Sequence, residues 1–309
     1  MANLKEIKDR TKSIQDTMKI TNAMYMISSS KLKKAKQKLA DTEPYFYGIQ
    51  DTVGRVLRHM PELRSPYFDG RSDKPPKDRA VGHIVITADK GMAGAYNHNI
   101  LKTSVELIDR CSVDKDYLFV VGECGREYFE RTGHEIDHTF CYTVQKPTMH
   151  RARIIAEHMI EEFLSGRIDE VYLVFTKQIT PMQEQPEVLQ LLPQKRVYFE
   201  KREHLSGVLA ENVEFFPSAK EVINNLIPNI ITGLIYSALV ESYCCEQNAR
   251  MSAMRAATDS AGEMIKELSM TYQRLRQAAI TQEIKEVVSG AKAQKRKKKK
   301  KEERRLAES

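Results

Sequence analysis

Residues 4–39 read LKEIKDRTKSIQDTMKITNAMYMISSSKLKKAKQKL. Taken in alternating steps of three and four, they give Leu4, Ile7, Thr11, Ile14, Met18, Thr21, Tyr25, Ser28, Leu32, Ala35 and Leu39, of which eight are apolar. That spacing is a heptad seam, the pattern with which one helix lies along another. The same step continues through Thr42, Phe46, Ile49, Val53, Val56 and Met60, interrupted only by Pro44. One kinked helix of about 55 residues would span roughly 80 Å, far more than a compact domain needs.

The far end repeats the pattern through Ile223, Leu226, Ile230, Gly233, Ser237, Val240, Cys244, Gln247, Met251, Met254, Thr258, Ala261, Ile265, Leu268, Tyr272, Leu275 and Ala279. Pro228 suits a first helical turn and no proline follows it, so this helix can run some 60 residues, about 90 Å. Small side chains at Ala249, Ser252, Ala253, Ala256, Ala257, Ser260 and Ala261 let a partner backbone come close. Isolated amphipathic helices on a globular core would give shorter stripes, since such helices average about 12 residues. Two seams of similar length flanking a middle region predict an antiparallel coiled coil of residues 4–58 with 223–290.

Between the seams the period changes. The runs 82–88 (GHIVITA), 117–122 (YLFVVG), 170–176 (EVYLVFT) and 188–192 predict strands, and 97–111 and 148–164 predict helices. Alternation of that kind describes a βαβ, Rossmann-like sheet domain, so the chain as a whole is of the α/β class. The expected division is an N-terminal coiled-coil helix over 1–60, a linker over 61–80, an α/β domain over 81–217, a C-terminal coiled-coil helix over 218–293 and a basic disordered tail over 294–309.

Charge and composition narrow the function. The net charge of +7 resides in residues 292–309, with ten Lys or Arg against three Glu, which leaves the body neutral. A neutral body argues against nucleic acid as partner, and the run 295–301 (KRKKKKK) is expected to be a solvated tail. Five cysteines without a CxxC pair suit reduced thiols. No run approaches the roughly 18 apolar residues of a membrane span, and the start MANLKEIKDR has no signal or transit character, so a cytoplasmic location is expected.

Three motifs invite chemistry. His134-Glu135-Ile136-Asp137-His138 fits the HExxH string of zinc peptidases, which works only on a helix. Gly133 before it and the β-favouring Thr139, Phe140, Cys141, Tyr142 and Thr143 after it favour a surface strand instead, with no metal bound. The loop Asp89-Lys90-Gly91-Met92-Ala93-Gly94-Ala95-Tyr96-Asn97 follows a strand, where α/β folds bind phosphates, yet it matches neither GxGxxG nor GxxxxGK[ST]. A tight turn permitted by glycine is expected there, and no cofactor. Cys244 and Cys245 are expected to be packing residues of the helix.

The C-terminal helix ends in ITQEIKEVVSGAKA, residues 280–293, and this resembles the signature of the ATP synthase gamma family: Ile/Val-Thr-x-Glu, an acid three positions on, then Gly-Ala. Residues 250–259 (RMSAMRAATD), 276–279 (RQAA) and 19–24 (KITNAM) are similar to that family's two long helices, and the loop at 89–97 is similar in form. The resemblance implies a rotor with no catalytic residue, cofactor or metal of its own. Its terminal helices would fill the axis of a ring of alpha and beta subunits, and its α/β domain would rest with an epsilon subunit on the membrane c-ring. It implies ring contacts at Met24 and at Arg276, Gln277, Thr281 and Glu283, and a place on the cytoplasmic face of a bacterial plasma membrane, reached only through the c-ring. Two features depart from the pattern: Tyr25, at a position often charged or polar in that family, and the basic tail. A zinc peptidase and a nucleic-acid-binding coiled coil are the readings from other classes.

Overall fold

The computed structural model describes residues 4–71, 74–111, 113, 115–180, 183–200 and 214–307, and the side chains among them other than those at 76, 200 and 298–307. Parts of the expected linker (72–73), of the α/β domain (201–213) and of the tail (308–309) therefore lie outside the described residues.

The seam of residues 4–60 forms a single helix, α1 (Leu4–His59). Pro44 sits inside it without ending it. A proline costs a helix one hydrogen bond, but here Phe46, Ile49, Val53, Val56 and Leu57 are buried on the next turns and hold the helix on its course. Two short 3-10 turns (Pro66–Phe68 and Pro76–Asp78) lead to β1 (Ala80–Ile86). Then follow α2 (Tyr96–Cys111), β2 (Lys115–Val121), α3 (Glu123–Thr132), α4 (Met149–Leu164), β3 (Glu170–Thr180), β4 (Gln183–Leu192), the single turn α5 (Val197–Glu200) and α6 (Ala219–Ala307).

The strands lie in the order β2-β1-β3-β4. β1 pairs parallel with β2, from Ala80 opposite Lys115 to Ile86 opposite Val121, and parallel with β3, from Val81 opposite Glu170 to Val85 opposite Val174. Every residue of β1 is buried, which is why its sequence is apolar but for His83, whose ring bonds to Asp116, rather than alternating. β4 runs antiparallel at the edge, the place in a sheet that tolerates its Pro186. Ile84, Ile86, Phe119, Val121 and Leu173 join one core with α4 and the long helices, whereas Val85, Val120 and Val174 join another with Ile100 and Phe129 of α2 and α3.

α3 was absent from the sequence expectation because it is short, charged and interrupted by Gly125. That glycine is required: its N–H donates to the Thr87 hydroxyl at 3.0 Å, and a Cβ would lie 2.6 Å from the same oxygen. The string 134–138 also departs from the expected strand. It follows the left-handed Gly133 that ends α3, and only Ile136 forms a bridge, to Leu118.

The chain divides into two compact units, one of Met1–Met24 with Met254–Ser309 and one of Tyr25–Ala253. In the larger unit α1 and α6 run antiparallel: Thr42 meets Tyr236, and Phe46 meets Gly233. A Cβ at Gly233 would be driven into the Phe46 ring, so the glycine sets how closely the two helices approach. In the terminal unit the Thr21 and Thr258 hydroxyls bond at 2.7 Å, and Ile7, Met254 and Ala261 are buried. One 18-residue window of α6 reaches a mean hydropathy of 1.4, enough by composition for a membrane span, contrary to the expectation that no run comes near it. Of that window 56% is buried within the fold, as in the core helix of a soluble protein.

The helix does not stop at the expected start of a disordered tail; it continues through residue 294 to Ala307. Lysine, arginine and glutamate are good helix formers, and an established helix propagates at little cost.

Candidate partner interface

Along α6 the seam residues are buried or half-buried as far as Ala279, and every described side chain from Ile280 to Lys297 is exposed. The helix thus outlasts its intramolecular partner by at least these 18 residues, about 27 Å at 1.5 Å per residue. This free stretch is not polar all round. Ile280, Ile284, Val287 and Val288 are 46%, 60%, 72% and 46% exposed, and their spacing of four, three and one puts them on one face. A contiguous apolar stripe left in water marks a surface made for a partner.

The expected contact residues border that stripe. Arg276, Gln277, Thr281 and Glu283 are all exposed. On a helical projection they share one broad face with Ile280 and Ile284, so a single partner surface can reach cation, amide, hydroxyl, carboxylate and apolar side chains together. The Thr281 hydroxyl donates to the Gln277 carbonyl at 2.8 Å, and Gln282 is bonded to Glu286 at 2.9 Å. Neither Arg276 nor Glu283 has an ion-pair partner among the described residues. Their charges are therefore available to another chain.

Met24 is not brought into this group. It is half-buried on α1, one turn after Thr21, whose partner Thr258 lies 18 residues before Arg276 on α6. Ile20, one turn before Met24, is 61% exposed.

The larger unit holds a second arrangement that sequence reasoning did not single out. Arg250 of α6 donates at 2.6 Å to Glu246 and at 3.0 Å to each of the Lys90 and Gly91 carbonyls. Both charged side chains are buried, at 9% and 4% exposure. Burial pushes the Glu246 carboxyl up from its ordinary value and the Arg250 charge opposes that. The loop so held is the one that follows β1. Its left-handed residues are Met92 and Gly94, and its other end is fixed by Asn97, which accepts from the Ala88 N–H at 3.0 Å. The turn expected from its glycines is thus a clamp between sheet and helix. The only outward sign in the sequence was the i, i+4 spacing of Glu246 and Arg250, which is common on exposed helix faces as well.

His134 and His138 do not share a helical face. The first bonds to the Thr132 hydroxyl at 3.0 Å, and the second approaches Glu130 at 3.9 Å. Among the described residues no group of three or more His, Cys, Asp or Glu could hold a metal ion.

The family model described as ATP synthase matches residues 3–294. The ATP synthase gamma chain of Ruminiclostridium cellulolyticum is 43% identical over 94% of this chain and 98% of its own length. The gamma chain of Caldanaerobacter subterraneus subsp. tengcongensis is 40% identical over 93% of this chain and 98% of its own. Among solved structures, a chain of the central stalk and c-ring of the Tetrahymena thermophila mitochondrial ATP synthase covers 77% of this chain with a TM-score of 0.55 and 22% identity, a likeness of fold. With the paired terminal helices, the four-stranded sheet domain and a relative of 43% identity over nearly the full length, the chain belongs to the ATP synthase gamma-chain family.

Proposed function

We infer that this gamma chain turns as the central-stalk rotor of an F-type ATP synthase, passing torque between a membrane c-ring and a ring of alpha and beta subunits. The observation that carries this is the helix α6, which leaves its partner at Ala279 and presents an apolar stripe bordered by Arg276, Gln277, Thr281 and Glu283. A helix that must slide and press against several copies of one surface in turn needs exposed side chains of mixed chemistry, not a pocket. Nucleotide and magnesium would bind on the alpha and beta subunits, and this chain would supply no catalytic group. The likeness of fold to a chain of the Tetrahymena central stalk and c-ring supports the c-ring as a neighbour of the sheet domain, where an epsilon subunit would rest beside it. Kinship with bacterial gamma chains supports a place on the cytoplasmic face of a plasma membrane, and a relative described as sodium ion specific supports protons or sodium ions as the coupled ion.

In functional terms the chain divides at 1–60, 61–80, 81–217, 218–293 and 294–309: helix, linker, sheet domain, helix and terminal extension. Met24 would meet the lever region of a beta subunit, and the four residues of α6 would meet its catch loop.

The double substitution Arg276→Ala, Gln277→Ala tests this. Both side chains are exposed, so folding should change by no more than about 0.5 kcal/mol. In the reconstituted complex, ATP-driven ion pumping should fall several-fold more than ATP hydrolysis. Unchanged pumping, torque and assembly would remove the assigned contact.

A further inference from the structure

Within the larger unit, a groove of about 380 Å³ opens between α1, α6 and the loop that precedes α4. Its volume is in the range of small-ligand sites. The floor is apolar: Ala35, Pro147, Val240 and Tyr243 line it, and all four are buried. Four lysines, Lys31, Lys34, Lys38 and Lys146, form the rim, and no carboxylate is among the lining residues.

The four ammonium groups are not a passing feature of a basic surface. Lys31, Lys34 and Lys38 recur at intervals of three and four on α1, which puts like charges on one face where they repel. The fourth comes from a fixed loop. Lys146 has φ of 51°, a left-handed conformation uncommon for a residue with a side chain. Its neighbours hold it there: the Gln145 N–H donates to Asp89 at 3.1 Å, and Arg151 donates to the Thr143 and Gln145 carbonyls at 2.6 and 3.0 Å. Among the described residues none of the four lysines makes an ion pair. The Glu246 charge does act on Lys31, but that carboxylate is buried and bonded to Arg250.

A low-dielectric floor beneath uncompensated positive charge focuses the field on an anion. Lysines act on phosphate as point charges that can gather round it from several directions. We propose that this groove binds a phosphate monoester carried on an apolar or aromatic body, the phosphate among Lys31, Lys34, Lys38 and Lys146 and the body on Val240 and Tyr243. The site takes nothing from the ring contacts of α6, so it stands or falls apart from the rotor assignment. A soluble phosphorylated metabolite and the head of an anionic phospholipid share this chemistry.

Calorimetric titration of the full chain with 1-naphthyl phosphate and with inorganic phosphate, and sedimentation with phosphatidic acid vesicles, distinguish the sources. For a soluble ligand, 1-naphthyl phosphate binds at least tenfold more tightly than inorganic phosphate. For a lipid head, the chain sediments at least tenfold more readily with these vesicles than with phosphatidylglycerol vesicles, and the naphthyl ester binds weakly. Phosphatidylglycerol vesicles are also anionic but carry no phosphate monoester, and so report the pull of the basic extension. In either case the double variant Lys34→Gln, Lys146→Gln loses at least tenfold in affinity with an unchanged melting temperature, and Lys102→Gln on α2 loses none. Binding that survives the double variant overturns the proposal, as does equal affinity for the two phosphates without that preference among vesicles, or no binding to any probe.

Discussion

Asp169 has no exposed side-chain surface, and its carboxylate is met by Lys74 at 2.8 and 2.9 Å, by the Ala80 N–H at 2.9 Å and by Arg71. Burial alone would raise its pKa; Lys74, the Ala80 N–H and Arg71 outweigh that and hold it at about 2. The ordinary value of about 3.9 applies in the unfolded chain. The folded state therefore prefers the ionised form, and the stabilisation is complete above the unfolded value and disappears as pH falls through about 4 towards about 2. Its size is of order 2 kcal/mol. Asp169→Asn should destabilise the chain by about that amount at pH 7 in urea unfolding, and the gap between variant and parent should narrow steadily below pH 4. A gap independent of pH would mean that the carboxylate is held by shape rather than by charge. No local pattern could have announced this residue, because its partners Arg71 and Lys74 are more than 90 positions away in sequence and meet it only when the sheet has formed.

At the scale of elements, the seams were legible because period survives without knowledge of the partner. From Leu4 to Leu39 every residue of the expected seam is buried or half-buried. The three parallel strands were legible within a few residues at their ends because buried parallel strands are written as apolar runs, whereas of the antiparallel edge strand β4 only the half-buried second half, 188–192, was. What escaped is what depends on a neighbour: α3, whose Gly125 answers to Thr87, and the Arg250 clamp, whose acceptors are loop carbonyls with no side-chain signature. The clamp predicts a specific energetic pattern. Arg250→Leu leaves the Glu246 carboxylate and the Lys90 and Gly91 carbonyls without their donor, and such a buried orphan costs about 3–5 kcal/mol. Adding Glu246→Leu should recover much of that loss, because a buried pair replaced by apolar side chains of similar size is often nearly neutral. Denaturant unfolding of both single variants and the double variant gives the cycle. A single substitution that costs under 1 kcal/mol would show that loop and helix are held by packing alone.

At the scale of the whole molecule, the sequence beyond the stripe poses a question of economy. The apolar face of α6 ends with Val288, and between residues 294 and 305 no side chain is apolar. A partner surface that would receive Ile280, Ile284, Val287 and Val288, acting as the bearing of the proposed rotor, would have nothing to gain from the lysines that follow, and burying them unpaired would cost several kcal/mol for each charge. The extension must therefore sit in water or against an acidic surface, and its helix to Ala307 needs no packing partner, since its residues favour helix by their own propensity. Assembly of the rotor should depend on the stripe and not on the extension. Truncation after Ala293 retains every seam residue, the stripe and the four expected contacts, so the shortened chain should assemble with its partners and support ATP-driven rotation at near-normal speed. Replacing Ile284 and Val287 together by Asp should do the opposite, abolishing assembly although both positions are exposed in the isolated chain. Co-purification of the alpha and beta subunits with each tagged variant, followed by single-molecule rotation, separates the two. Loss of assembly on truncation with the stripe intact would show that the basic extension itself is part of the bearing.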